Sequence, residues 1–376
     1  MKILYVYTGG RKKRLQEIKN THAPSEFLFG ALQLRKMGFE VGMLELDEII
    51  YKKSLIFKIK EVKNRVISKL TGLSIGEHLM YEGIKTMNNY DHIIATNDYL
   101  ALSLASFKKN KLLLPPLSFF VMGQLANIFN YSLSKFGKIV GLKIYGDLIK
   151  QSNSAMFLGR KEYEYALKCY PDDKEKCKFL PFAVDIEFWR PDPEIESEDF
   201  ILSIGNDSNR DWKTAINIAR NLPEFKFKFV SKNKLLAGSV LPSNIEYIKG
   251  DWKDCFISDI DIRNLYRRAS IVILPINNTI QPSGQSVCLQ AMSCGKPVII
   301  SDYPGFWDPD KFIDGKHLCF AKPNKFNGFL EKILFLNKNK QIKERISLNA
   351  RSLISERYNM ERFTHKIANT LDKRIC

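Results

Sequence analysis

The stretch Pro275-Ile-Asn-Asn-Thr-Ile-Gln-Pro-Ser-Gly-Gln-Ser-Val-Cys-Leu-Gln-Ala-Met-Ser-Cys-Gly-Lys-Pro-Val-Ile-Ile-Ser301-Asp302 decides the fold. An apolar strand, Ile271 to Leu274, ends in a proline. A polar loop with Pro282, Ser283 and Gly284 follows. A short helix is predicted from about Gln285 to Gly295, where Lys296-Pro297 stops it, and a second strand starts at Val298. Strand, Gly-bearing loop and helix N-terminus are the parts of a phosphate site, because free N–H groups and the positive end of the helix dipole point at the loop. The same pattern also fits an ordinary βαβ crossover closed by a glycine, and both readings stay open at this point.

The loop resembles the donor-sugar loop of the GT-B glycosyltransferases, and of the large retaining family four in particular. That family shows Glu, seven residues, then Glu-Ala-Met-Ala-x-Gly-x-Pro-Val. Gln290-Ala-Met-Ser-Cys-Gly-Lys-Pro-Val298 matches the second half. Gln290 stands where the second Glu belongs, and Pro282 where the first belongs. Leu180-Pro-Phe-Ala-Val-Asp-Ile-Glu-Phe-Trp-Arg-Pro191 resembles the family's interdomain linker. Leu202-Ser-Ile-Gly205, followed by Arg210 and Lys213, resembles the opening of its donor domain. Asp259 to Ala269 and Ile313-Asp-Gly315 resemble a later helix and turn. The likeness is specific over 180–320 and thin over 1–150.

The resemblance implies an α/β protein of GT-B type: two Rossmann-like, doubly wound domains facing across a cleft. Residues 1–190 would bind the acceptor, completed by a C-terminal helix over 358–376, and residues 191–357 would bind the nucleotide sugar. It implies a retaining, metal-independent hexosyl or related transfer to a glycan or lipid-linked acceptor, in cell-surface polysaccharide or lipopolysaccharide biosynthesis. No cofactor is implied beyond the nucleotide-diphosphate sugar itself. Arg210 and Lys213 would stabilise the departing diphosphate, which is electrostatic catalysis on the leaving group. Family members carry the Arg directly after the glycine, whereas Asn206 stands there in this chain. Gly10 and Asn206 would lie against the donor. Ser283, Gly284, Gln285 and Ser286 would replace the first Glu with backbone N–H groups and hydroxyls, and Gln290 would meet the ribose through its amide. Two other readings remain: a GT-B binding module without turnover, and a GT-B sugar-nucleotide 2-epimerase, whose acid/base carboxylates and His find no counterpart.

Composition fits a large globular protein. The 376 residues are 45% apolar and 26% charged, room for two cores. The net charge of +17 favours an anionic partner. Residues 1–190 hold 30 Lys/Arg against 19 Asp/Glu, so most of the excess lies in the first half. The segment 51–70 carries Lys52, Lys53, Lys58, Lys60, Lys63, Arg65 and Lys69 against Glu61, with Leu55, Ile59, Val62, Val66 and Leu70 at helical spacing. Such a helix either lies on an anionic membrane surface or turns its apolar stripe to the core. No recognition motif supports nucleic acid.

Seven cysteines, at 169, 177, 255, 288, 294, 319 and 376, lack metal-ligand spacing and read as reduced and cytoplasmic. Asp259-x-Asp261 and Asp308-x-Asp310 are weak metal motifs, and Ser258-Asp259 reads as a helix cap. His22 reads as loop surface. The uncharged run 112–134 contains Pro115-Pro116 and reads as strand and helix rather than a membrane span. Along the first half the pattern predicts strand 2–7, a polar loop, helix 24–36, strand 91–95, helix 98–107, strands 111–114 and 155–159, and helix 161–169. Strands and helices then alternate from 200 to 300, which implies parallel sheets.

Overall fold

The computed structural model describes residues 1–50, 55–129, 132–238, 240–250 and 257–371. The chain divides into two compact units. One comprises Met1–Leu15, Phe27–Pro181 and the chain from Phe363 onward; the other comprises Gln16–Glu26 and Phe182–Arg362.

The first unit is built on six parallel strands: β1 (Lys2–Tyr7), β2 (Glu40–Glu45), β3 (His92–Ala95), β4 (Leu117–Val121), β5 (Ser154–Phe157) and β6 (Cys177–Phe179). Their order is β2-β1-β3-β4-β5-β6. Runs such as Ile3–Tyr7 and Leu117–Val121 are buried along their whole length, as a sheet covered on both faces requires. Three expectations need correction here. The polar stretch after β1 holds a helix, Arg11–Lys19, which no apolar period announces. Its first amides are met by a carboxylate: Glu45 Oε1 accepts from Arg11 N–H and, at 2.9 Å, from Lys12 N–H. The strand expected at 111–114 lies after Pro115-Pro116 instead, where β4 finds partners on both sides. Helix 24–36 is broken: a single 3₁₀ turn, Glu26–Leu28, gives way to Phe29 at φ 52° and Gly30 at φ 84° before Ala31–Lys36. A helix the pattern did not announce, Lys135–Gln151, starts at Ser134, whose hydroxyl accepts from Gly137 N–H at 3.0 Å.

The second unit follows the predicted alternation closely. Its strands are β7 (Phe200–Ile204), β8 (Lys226–Ser231), β9 (Ile245–Lys249), β10 (Ile271–Leu274), β11 (Val298–Ser301) and β12 (Cys319–Ala321). They are all parallel and run β9-β8-β7-β10-β11-β12. Counted within the unit this is third, second, first, fourth, fifth, sixth, the doubly wound dinucleotide-binding order. Such a sheet binds ligands where that order reverses, at the carboxyl ends of its first and fourth strands. Here those are β7 and β10.

Candidate functional site

β7 runs out into Gly205 and β10 into Pro275, and the loops that follow meet at the switch point. They are zipped together by backbone bonds: Asp211 N–H to Pro275 C=O and Asn277 N–H to Asn209 C=O, both 2.9 Å, with a bridge between Arg210 and Ile276. Arg210 is thereby held inside the unit, its side chain 3% exposed. The guanidinium lies between two glycines. A Cβ on Gly205 would come within 2.0 Å of its Nε, and one on Gly284 within 2.6 Å of its Nη1. Any side chain at either position would displace the arginine. Nε and Nη1 have no hydrogen-bond partner among the described residues. Asp207 Oδ2, half exposed, sits 3.4 Å from Nε as an ion pair without hydrogen-bond alignment. A buried guanidinium with unspent N–H groups is costly to hold without an anion to receive them.

The second wall is the start of helix Gln285–Ser293. Gly284 caps it in the left-handed region, φ 74°, and makes no side-chain cap bond. The helix therefore offers its positive end beside Arg210. Ser283 is fixed rather than mobile: its hydroxyl accepts from Asn209 Nδ2 at 2.8 Å, and its backbone N–H and C=O both bond the Tyr303 hydroxyl. Gln285 is buried and Ser286 half-buried on the same turn.

The remaining expected residues lie in other surroundings. Lys213 is exposed on the first turn of helix Trp212–Arg220. Asp211 caps that helix, accepting from Thr214 N–H at 3.0 Å and from its hydroxyl at 2.6 Å, which explains the departure Arg210-Asp211-Trp212 from the family spacing. The Asn206 side chain is spent on structure: Nδ2 donates to Gly250 C=O, and Oδ1 accepts from Ser231 and Lys232. Gln290 is buried with both polar ends taken. Nε2 donates to Glu26 Oε1 at 3.0 Å, and Oε1 accepts from Tyr266 at 3.3 Å. Gly10, in the first unit, is exposed with φ 75° just before the helix whose amides Glu45 occupies. His22 is exposed, and Ser258 and Asp261 form a reciprocal helix cap.

Sequence reasoning did not single out Glu26. It belongs with the second unit and accepts from Trp189 Nε1 at 2.7 Å, from Gln290, and from Asp185 N–H. Burial, and then the charge of Asp185, push its carboxyl up to about 7, against the pull of the Trp189 and Gln290 hydrogen bonds. A lone Glu directly before Phe27-Leu28-Phe29 carries no signal of this role. Among the described residues no group of three or more His, Cys, Asp or Glu is arranged to hold a metal ion.

Two Rossmann-like units, the second with an anion-ready switch point, define an α/β protein of the GT-B fold. Residues 255–353 match the family described as glycosyl transferases group 1. The chain is similar to HepE of Anabaena, solved in complex with UDP-glucose, at 15% identity over 99% of both chains and a TM-score of 0.68. It is similar to sucrose-phosphate synthase of Thermosynechococcus elongatus at 11% identity over 100% and 99%, TM-score 0.71. A glycosyltransferase of Rickettsia africae shares 15% identity over 100% and 98%, TM-score 0.66. No curated protein sequence matches the chain.

Proposed function

We propose that this protein is a retaining glycosyltransferase that takes a nucleotide-diphosphate sugar and passes the sugar to a glycan or lipid-linked acceptor, without a metal. The observation that carries this reading is Arg210, buried and hydrogen-bond-poor between Gly205 and Gly284, next to the glycine-capped start of helix Gln285–Ser293. As the glycosidic bond to the diphosphate breaks, negative charge grows on the leaving oxygen. A fixed guanidinium and aligned N–H groups lower the energy of that charge without reorganising. Ser283, Gly284, Gln285 and Ser286 line this seat, and Lys213 lies on the neighbouring first turn, where its long side chain serves as a second cation for the donor. UDP and UDP-glucose bound to HepE, of like fold, make a uridine donor the first choice. The test is a thermal-shift panel of nucleotide sugars followed by donor hydrolysis without acceptor. A ligand at 100 times its dissociation constant adds about 2.7 kcal/mol. Stabilisation with hydrolysis supports the enzyme; stabilisation without hydrolysis or transfer supports a binding module; no stabilisation by any nucleotide sugar sinks both.

For the acceptor side we propose work at a membrane surface, in cell-surface polysaccharide synthesis. Helix Leu55–Thr71 turns its polar face inward, with Lys60 paired to Glu77 at 3.1 Å and Asn64 bonded to His78 at 3.2 Å. Its apolar stripe faces solvent: Leu55 is 74% exposed, Ile59 60%, Val62 59% and Val66 59%. The core-facing reading of that stripe is therefore wrong, and Leu70 alone is half-buried. Exposed Phe136 and Ile139 stand on helix Lys135–Gln151, whose Gly137 packs against Leu70 C=O. Lys58, Lys63, Arg65 and Lys69 are exposed around the stripe; Lys52 and Lys53 lie outside the described residues. No helix among the described residues is long and apolar enough to cross a membrane. An exposed apolar stripe edged with cations fits the interface of an anionic bilayer, each cation contributing about 1 kcal/mol. Phosphatidylglycerol vesicles should bind the protein at low salt and phosphatidylcholine vesicles should not. Ile59→Ser with Val66→Ser should weaken that binding at least tenfold with the melting temperature unchanged. Wild-type protein that ignores anionic vesicles at low salt would return the acceptor to a soluble glycan.

A further inference from the structure

The helix that presents Gly284 at one end closes a cavity at the other. Nine residues at 1.5 Å each put the two ends roughly 14 Å apart, so the cavity is separate from the Arg210 seat. It encloses about 250 Å³ and is lined by Arg267, Lys296 and Arg351, with Asp192 as its one acid. The cations are not equivalent. Arg267 is neutralised, since Nη1 pairs with Asp192 at 3.0 Å and Nε donates to Arg190 C=O. Arg351 is anchored by neutral acceptors only: Nη1 donates to Trp189 C=O and the Ser293 hydroxyl, and Nη2 to Ile186 C=O. Three of its five N–H groups are spent, and among the described residues no carboxylate pairs with it, Glu187 acting only from beyond ion-pair distance. Lys296 is half-buried, and its ammonium has neither a hydrogen bond nor an ion pair among the described residues. Burial, the first cause, depresses its ammonium below the usual lysine range.

Two unneutralised cations, one rigidly held and one unpartnered, thus share a concave site with the Ser347 hydroxyl. We infer that this cavity is a second anion site, taking the phosphate of a small phosphate ester. A dianion matches the two open charges, and the planar guanidinium and the point-like ammonium are complementary donors to it. The cavity is larger than a bare phosphate fills. Its other wall is apolar, formed by Pro191, Ile195 and the exposed Leu348, which suits a short organic tail. Lys343 adds a further positive charge near Lys296.

The test is calorimetric titration of the full-length protein with inorganic phosphate and with glycerol 3-phosphate, at matched ionic strength in chloride. Both should bind, the ester at least tenfold more tightly, which assigns the site to esters; equal affinity assigns it to the free ion. Lys296→Met keeps the aliphatic stem and should weaken binding at least tenfold, whereas Lys296→Arg should restore it. Arg210→Met should leave it untouched, separating this cavity from the donor seat. Binding that survives Lys296→Met, binding that vanishes in Arg210→Met, or no heat with either ligand at 10 mM, on the order of the weakest useful affinity, overturns the proposal.

Discussion

Arg210→Met is expected to lower transfer from a nucleotide sugar by about 10²–10³-fold, the usual loss when a group stabilising the leaving charge is removed. The same variant should melt no lower than the wild type. These expectations come from the same geometry. In the protein alone the guanidinium is buried, with Nε and Nη1 unbonded and only the half-exposed Asp207 to offset its charge. Desolvating such a charge costs several kcal/mol. Methionine fills similar space without that cost, so stability should hold or rise. A purely structural arginine would behave oppositely, because its loss would leave carbonyls unsatisfied and lower the melting temperature together with activity. Calorimetric titration with UDP, steady-state transfer and thermal melts on the two proteins separate these cases. Undiminished kcat/KM in Arg210→Met would move the phosphate seat elsewhere.

Most of the second unit was legible because its strands are short apolar runs closed by Pro, Gly or Asn, and its helices carry caps. Ser258-x-x-Asp261 marks the helix Asp259–Arg268, and Gly284 with Gly295 brackets Gln285–Ser293. The seat around Arg210 was also within reach, since a strand ending in Gly205 and a loop ending in Gly284 announce a close approach. What approached them was not legible. That both glycines make room for one side chain is a fact of three dimensions.

What the sequence left illegible shares a cause. Helix Arg11–Lys19 has almost no apolar face, so no period reveals it; the Glu45 carboxylate on its first amides comes from thirty-odd positions along the chain. Gln290 was read as a ribose partner from its place in a motif, yet its amide is bound by Tyr266 and Glu26, neither predictable from the motif. The stripe of Leu55, Ile59, Val62 and Val66 is periodic whether it faces core or solvent. Only burial separates the two, and here the stripe is outside.

Gly205→Ala should cost nearly as much activity as removing Arg210 itself, although alanine adds one methyl group. The three atoms nearest that methyl would all belong to Arg210, with Nε at 2.0 Å, Cζ at 2.8 Å and Cδ at 2.9 Å. No real contact of a Cβ with Nε is so short, and Gly284 backs the guanidinium on the other side, where even one added Cβ would come within 2.6 Å of Nη1. The arginine must therefore leave its seat. Gly205→Ala also strains a backbone at φ 157°, so a loss of activity alone would be ambiguous. A double-mutant cycle removes that ambiguity, because backbone strain is present in both arms and cancels. In the wild type, Gly205→Ala should lower kcat/KM by about 2–4 kcal/mol. In the Arg210→Ala background, where those three contacts are gone, it should cost less than about 1 kcal/mol, the low end of the strain alone. A coupling near or above about 2 kcal/mol, within the range seen for residues in contact, means that the glycine exists for the arginine. Additive losses in the four proteins would show instead that Gly205 serves only the turn, and Arg210 would lose its claim to a built seat.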